Sequence, residues 1–172
     1  MKNTAFSVVL VLLLLAGLVI ATGAAGAEEV PITLFWDGET TISEGQVAVL
    51  RAGWGACNPG LVGVFIAASN FEVTLDGQPL LSPEDVDALW GEAEIFEEPP
   101  PFAEDCMGKG RPASAEWRFV LDGLDPGVHE VTCQIWIDHT LVDGADNDGD
   151  GKIDKMTPEN YYFDTLNTII VE

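Results

Sequence analysis

The sequence predicts an all-β fold: a sandwich of about seven short strands with one short helix and a long irregular insertion. Three observations carry this. Runs rich in Val, Ile, Leu, Phe and Trp recur at close spacing, and several alternate apolar with polar residues. Turns containing Gly, Asp or Pro separate them. No run holds a 3.6-residue apolar period over four turns, which argues against an α/β arrangement.

The first residues read as a targeting segment. Lys2 is the only charge before Glu28, and an apolar core runs from Val8 to Ile20. Ala24-Ala25-Gly26-Ala27 supplies small residues for cleavage, so 1–27 is expected to be a signal peptide. A membrane anchor is the competing reading, because the apolar stretch approaches spanning length. Residues 28–172 are then expected to be one domain, large enough to bury a core.

Ile32 to Trp36 is the first expected strand, turned by Asp37-Gly38. Val47 to Trp54 is the second, with apolar residues on most of both faces. Gly53 to Gly60 reads as a turn region with Trp54 at the end of the core. Leu61 to Ala67 is read as a third strand. Phe71 to Leu75 is a fourth, and Asp76-Gly77 turns it into Gln78–Leu81. Ser82-Pro83-Glu84-Asp85 has a capping Ser, Pro at the first helical position and acids in the first turn, predicting a helix from Pro83 to about Trp90. A Glu- and Pro-rich excursion follows, which makes 82–113 an insertion of unusual length. Ala115 to Leu121 resumes the sheet with Trp117, Phe119 and Leu121 inward. Val128 to Asp138 is the longest strand, its inward row Val131, Cys133, Ile135 and Ile137. Tyr161 to Val171 closes the fold.

Leu124-Asp125-Pro126-Gly127-Val128-His129 resembles the turn that enters the penultimate strand of secreted bacterial or archaeal immunoglobulin-like and fibronectin-like modules. The resemblance covers that strand pair and implies an immunoglobulin-like β-sandwich. His129 stands where a Tyr is more usual in such corners. The immunoglobulin disulfide pattern is not met, because Trp54 precedes Cys57.

Asp146-Asn147-Asp148-Gly149-Asp150-Gly151-Lys152-Ile153-Asp154 places acids at loop positions 1, 3, 5 and 9, Gly at 6 and Ile at 8. Alternating carboxylates on a tight curve can converge on a hard cation that takes six to eight oxygens. The stretch resembles the EF-hand family and the related dockerin and thrombospondin type 3 calcium repeats. That resemblance implies Ca2+ held by Asp146, Asp148, Asp150, the Lys152 carbonyl and Asp154, with Ile153 plugging into the core. Position 12 is Thr157 instead of the bidentate Glu, so Asp143 and Glu159 are the first candidates to fold back as further ligands. No amphipathic helix precedes Asp146, so a sensor-type switch is not expected. The plainer alternative is a solvated acidic loop.

The chain of 172 residues has 29 acids against 7 Lys and Arg, a formal charge of −22. Such a surface repels nucleic acid and anionic lipid and attracts divalent cations. Membrane insertion after signal cleavage is not expected. Three cysteines allow at most one internal bridge. Cys57 with Cys106 is favoured because both lie in loop-like sequence and would tether the insertion. Cys106 with Cys133 is the alternative, although Cys133 sits in an apolar strand.

No GxSxG or HExxH motif is present, and neither His129 nor His139 has a partner at catalytic spacing. The expected activity is therefore none: an extracellular structural, adhesion or assembly module stabilised by calcium, with self-association or a cell-surface partner. The alternative is a carbohydrate-binding module that uses exposed Trp side chains. A further option is an enzyme inhibitor using the insertion. Trp36, Trp117 and Trp136 are expected as core or sheet-face packing. Trp54 and Trp90 are the candidates to stack on a sugar ring, provided they share an open face.

Overall fold

A computed structural model describes residues 27–108 and 110–172. Apart from Ala27, the expected signal segment lies outside the described residues. The fold is all-β, with two packed sheets and short helical segments, consistent with an immunoglobulin-like sandwich carrying a helical insertion.

The strands are β1 (Glu28–Thr33), β2 (Gly38–Ile42), β3 (Gln46–Ala56), β4 (Ser69–Leu75), β5 (Gln78–Pro79), β6 (Glu94–Ile95), β7 (Ala113–Leu121), β8 (Gly127–Ile137) and β9 (Tyr162–Val171). One sheet has the order β1-β3-β7-β6, the other β2-β9-β8-β4-β5. β1 runs parallel to β3 and β2 parallel to β9, so the chain leaves one sheet and joins the other across residues 34–37. The first expected strand, Ile32 to Trp36, therefore ends early: Phe35 and Trp36 lie in this crossover turn.

Leu61 to Ala67, read as a strand, is part of helix α1 (Pro59–Ala68). The Asn58 side chain accepts the Leu61 N–H as an N-cap, and Pro59 occupies the first turn. A short run of wholly apolar residues has no period that separates helix from strand, so the capping pair is what decides. α1 buries Val62 and Phe65. Helix α2 (Pro83–Ala88) starts where expected and ends two residues before Trp90. Ser82 Oγ accepts the Asp85 N–H, and the buried Trp117 indole donates to the Val86 carbonyl at 2.9 Å. A 3₁₀ turn spans Pro101–Asp105 within the insertion.

The core lies between the sheets. Leu34, Leu50, Trp117, Val131, Ile135 and Ile169 are fully buried, and the expected inward row of β8 is buried throughout. Trp117 sits edge-on to Phe71 with centroids 5.1 Å apart. Truncating such a side chain to Ala leaves a cavity that costs about 3–5 kcal/mol.

The β4–β5 turn is clasped to the start of β8. His129 Nδ1 lies 2.8 Å from Asp76 Oδ2, and Nε2 lies 2.9 Å from the Asp125 carbonyl. An imidazole donates from both nitrogens only when protonated. The Asp76 contact first, then the Asp125 carbonyl, raises His129 above its ordinary 6.5. The hydrogen bond from His129, then that from the Glu130 N–H, lowers Asp76 below its ordinary 3.8. A raised imidazole stabilises fully below its unfolded value and loses that as pH rises through the raised one. A lowered carboxylate stabilises fully above its unfolded value and loses that as pH falls through the lowered one. The clasp therefore gives a stability plateau between pH 3.8 and 6.5. Thermal melts against pH should show that plateau. Asp76→Asn keeps the left-handed backbone that Asp76 adopts at φ 51° and should flatten the fall on the alkaline side.

Candidate functional site

Two features stand side by side at one end of the sandwich: the acidic loop between β8 and β9, and an aromatic cleft. Carboxylate oxygens of Asp146, Asp148 and Asp150 lie within 4.8 Å of one another. The backbone shapes this cluster. Asp146 accepts the N–H groups of Asp150 and Gly151 at 3.0 and 2.9 Å, Asp148 accepts that of Asp150, and Asp150 accepts that of Lys152. Gly149 and Gly151, both at positive φ, allow the chain to turn that tightly. Lys152 Nζ rests 2.8 Å from Asp150 Oδ2 on an exposed side chain. Three hard oxygen donors so close can coordinate a divalent metal ion.

The other expected side-chain ligands have contacts of their own. Asp154 Oδ2 accepts the Asn147 N–H at 2.7 Å, closing the loop. Asp143 Oδ1 accepts the Ala145 N–H. Glu159 is exposed, and a hydrogen bond from Thr157 lowers its pKa. Ile153 does not plug into the core: it is 41% exposed. The loop tip is too short and too polar around it to fold the side chain inward.

The base of the loop is stapled. Cys57 and Cys106 form the disulfide, as the loop positions of the two cysteines predict. Cys133 is free and buried, its thiol pushed up to about 12 by desolvation. The Cys57 N–H donates to the Asp143 carbonyl, Met107 N–H to Gly144, and Asp146 N–H to Asp105. A Cβ on Gly144, whose φ is +90°, would lie 2.8 Å from Cys57 Cβ. The bridge thus joins the start of α1, the insertion and the acidic loop at one point.

The same junction forms one wall of the aromatic cleft. Phe102 lies in the 3₁₀ turn just before Cys106, and its ring is 3.1 Å from where a Cβ of Gly55 would be. Trp54 forms the floor, stacked on Phe65 at 3.8 Å with Tyr161 edge-on at 5.6 Å. Burial, then the Asp143 charge, pushes the Tyr161 phenol up. Phe163 packs on Tyr161 at 5.1 Å and is itself exposed. Phe35 and Trp36 form the opposite wall of a cavity of about 280 Å³.

Trp36 is 72% exposed, the reverse of the expected sheet packing. Its backbone is nevertheless fixed by β9. Buried Asn167 donates to the Trp36 carbonyl at 3.1 Å, and the Leu166 N–H donates to Asp37 Oδ1 at 2.8 Å. The Thr165 hydroxyl donates to the Leu34 carbonyl. Trp54 is partly exposed in this cleft. Trp90 is half-buried against Phe71 and, like Trp54, packs on the Ala56, Val62, Ala113 and Ala115 cluster, but it does not line the cleft, so the two expected platform residues do not form one open face there. Trp117 is core, as expected, and Trp136 lies across from Tyr162 on the outer face of the other sheet. Sequence reasoning missed Phe102 and Phe163. Asn167, a polar residue in an apolar strand, was the available signal for a tied turn.

No family model matches the chain, and no curated protein matches it. Among solved structures, the chain is similar to the cysteine protease inhibitor EhICP2 from Entamoeba histolytica, at 13% identity and a TM-score of 0.34, over 84% of this chain and 96% of that one. No helix among the described residues is long and apolar enough to cross a membrane.

Removing the bridge should cost about 4 kcal/mol by the chain-entropy argument for a closed loop of this length. Thermal denaturation of Cys57→Ala/Cys106→Ala against the parent is expected to show the drop. Reductant should lower the parent melting temperature and leave the variant unmoved.

Proposed function

We propose that the chain is an exported, non-catalytic carbohydrate-binding module. In this reading 1–27 is a cleaved signal peptide, 28–172 is a single immunoglobulin-like domain with 82–113 as its insertion, and the protein works outside the cell. One observation carries it: Trp36, whose backbone carbonyl is tied to the buried Asn167, exposes its side chain to solvent beside Trp54 and Phe163 in a cleft. An exposed aromatic face carried on an ordered backbone can stack on a sugar ring. The acidic surface supports exclusion of nucleic acid as a partner.

Calcium belongs to this proposal as a structural ion. Asp146, Asp148 and Asp150 would hold it, with the Lys152 carbonyl, Asp154, Asp143 and Glu159 as further oxygen donors. The donor set fits a hard cation, and the exposed Lys152 ammonium on Asp150 is a weak competitor for it. The ion would relieve repulsion among the carboxylates and order the loop beside the Tyr161 end of the cleft.

A structural or assembly role is the second reading, with a second copy or a cell-surface protein as partner. The observation that favours it is the exposed apolar set Val128, Leu166 and Tyr162 on the outer face of the β8–β9 pair. Sedimentation that changes with concentration would support it.

Two experiments test the main reading. Native electrophoresis through gels containing polysaccharide should retard the protein, and Trp36→Ala should abolish the retardation while Trp136→Ala keeps it. Calcium at a hundredfold excess over its dissociation constant should add about 2.7 kcal/mol. Differential scanning calorimetry after chelation at low salt would expose the ion's role, and an unmoved melting temperature would remove calcium from the proposal.

A further inference from the structure

We infer that the cleft is one end of a longer groove built for a linear, uncharged polysaccharide, which crosses β3 over its two glycines. This rests on the carbohydrate reading and adds the ligand class and a second contact region to it.

The Trp36 cleft does not stop at Phe102. A neighbouring depression of about 410 Å³ shares Gly53, Trp54, Gly55 and Phe102 with it. That depression lies on the outer face of the β3–β7 pair. Phe96 and Phe102, edge-on to each other at 5.9 Å, stand at one side. Thr33, Ser114, Glu116 and Arg51 supply its polar side chains. The two spaces form one path that shares the Gly53–Gly55 stretch of β3 and the Phe102 ring.

Gly53 is the informative residue. Its φ is not positive, and a Cβ built there would meet only the Ala115 carbonyl, at an ordinary 3.8 Å. Neither backbone conformation nor packing requires glycine. A glycine inside a strand weakens it, and its usual reason is close approach of a ligand or another backbone. Here no other part of the described chain takes that space.

The backbone of this stretch is also open. The Leu34 N–H donates to the Arg51 carbonyl at 2.8 Å, which puts the Arg51 groups on the edge away from β7. Strand alternation puts the N–H and C=O of Gly53 and Gly55 on that same edge. Neither residue has a partner on that side among the described residues. Two residues on, the Cys57 N–H reaches the Asp143 carbonyl and closes the edge. A gap this short is a poor ladder for an added peptide strand, whose affinity comes from repeated main-chain pairs. It suits hydroxyl groups, which donate and accept singly.

Charge selects among sugars. Arg51 and Glu116 pair with each other, and the contact holds both ionised. The remaining groove side chains are neutral. The groove therefore offers no free cation to a carboxylate or sulfate, and the chain around it carries −22. Uronate and sulfated chains meet repulsion, and neutral chains do not.

The test uses the purified protein in native gels containing either neutral polysaccharides (β-glucan, xylan, galactomannan) or polyuronates (alginate, polygalacturonate), at matched ionic strength. At least one neutral polymer should retard the protein, and the polyuronates should not. Gly53→Val suits a strand and should keep the melting temperature while weakening retardation at least tenfold. A neutral polymer retained through Trp36 but indifferent to Gly53→Val would overturn the extended groove and leave the carbohydrate reading standing. Equal retardation by polyuronates would overturn the charge selection. No retardation by any polymer would remove the carbohydrate reading itself.

Discussion

The crosslink between Cys57 and Cys106 is the constraint on which the unusual parts of this structure depend. The two sheets carry their own core, which α2 joins through Val86, but the described residues of 91–108 in the insertion and 146–154 in the acidic loop include no buried side chain. They are held because three hydrogen bonds, from Cys57, Met107 and Asp146, form around one covalent bridge. The tight fit at Gly144 has the same origin, since the loop backbone passes against the Cys57 side chain with no room for a methyl group. Segments that could not order themselves by hydrophobic burial are ordered by attachment.

That junction also reaches the cleft. Phe102 precedes the bridge by four residues, so the wall it forms is as well anchored as the bridge itself. The opposite wall has a different anchor. Asn167 is buried between the sheets and gives its amide to the Trp36 carbonyl. The Gly38 position leaves only 3.0 Å between a would-be Cβ and Asn167 Oδ1, so the turn has to pass close over it. One wall is thus held covalently and the other by a buried amide. The aromatic residues of the cleft come from the 34–37 crossover, β3, the start of β9 and the insertion, four segments far apart in sequence.

Much of the sandwich was legible because its long strands alternate cleanly. The inward row of β8 and the Trp117 face of β7 follow directly from a period of two. The helix over Pro59–Ala68 was not legible by period, because every side chain in it is apolar or glycine. Its signal was local, an Asn-Pro pair that can cap and start a helix. Strands β2 and β6 were missed because they are short, polar and defined by their partners. The acidic triad was readable since three alternating carboxylates lie within five residues. The cleft was not, because exposure of Trp36 is decided by where β1 leaves its sheet, and no local pattern records that. Trp90 illustrates the converse: a Trp in an irregular segment is half-covered because Phe71 and β7 lie beneath it.

The single unbridged cysteine has a chemical consequence. Thiol–disulfide exchange requires a thiolate with a line of approach. Cys133 is sealed inside β8, and desolvation keeps its proton on at any physiological pH. The assembled protein therefore carries no internal thiol placed to scramble its own bridge, and any reshuffling of Cys57–Cys106 needs a thiol or reductant supplied from outside.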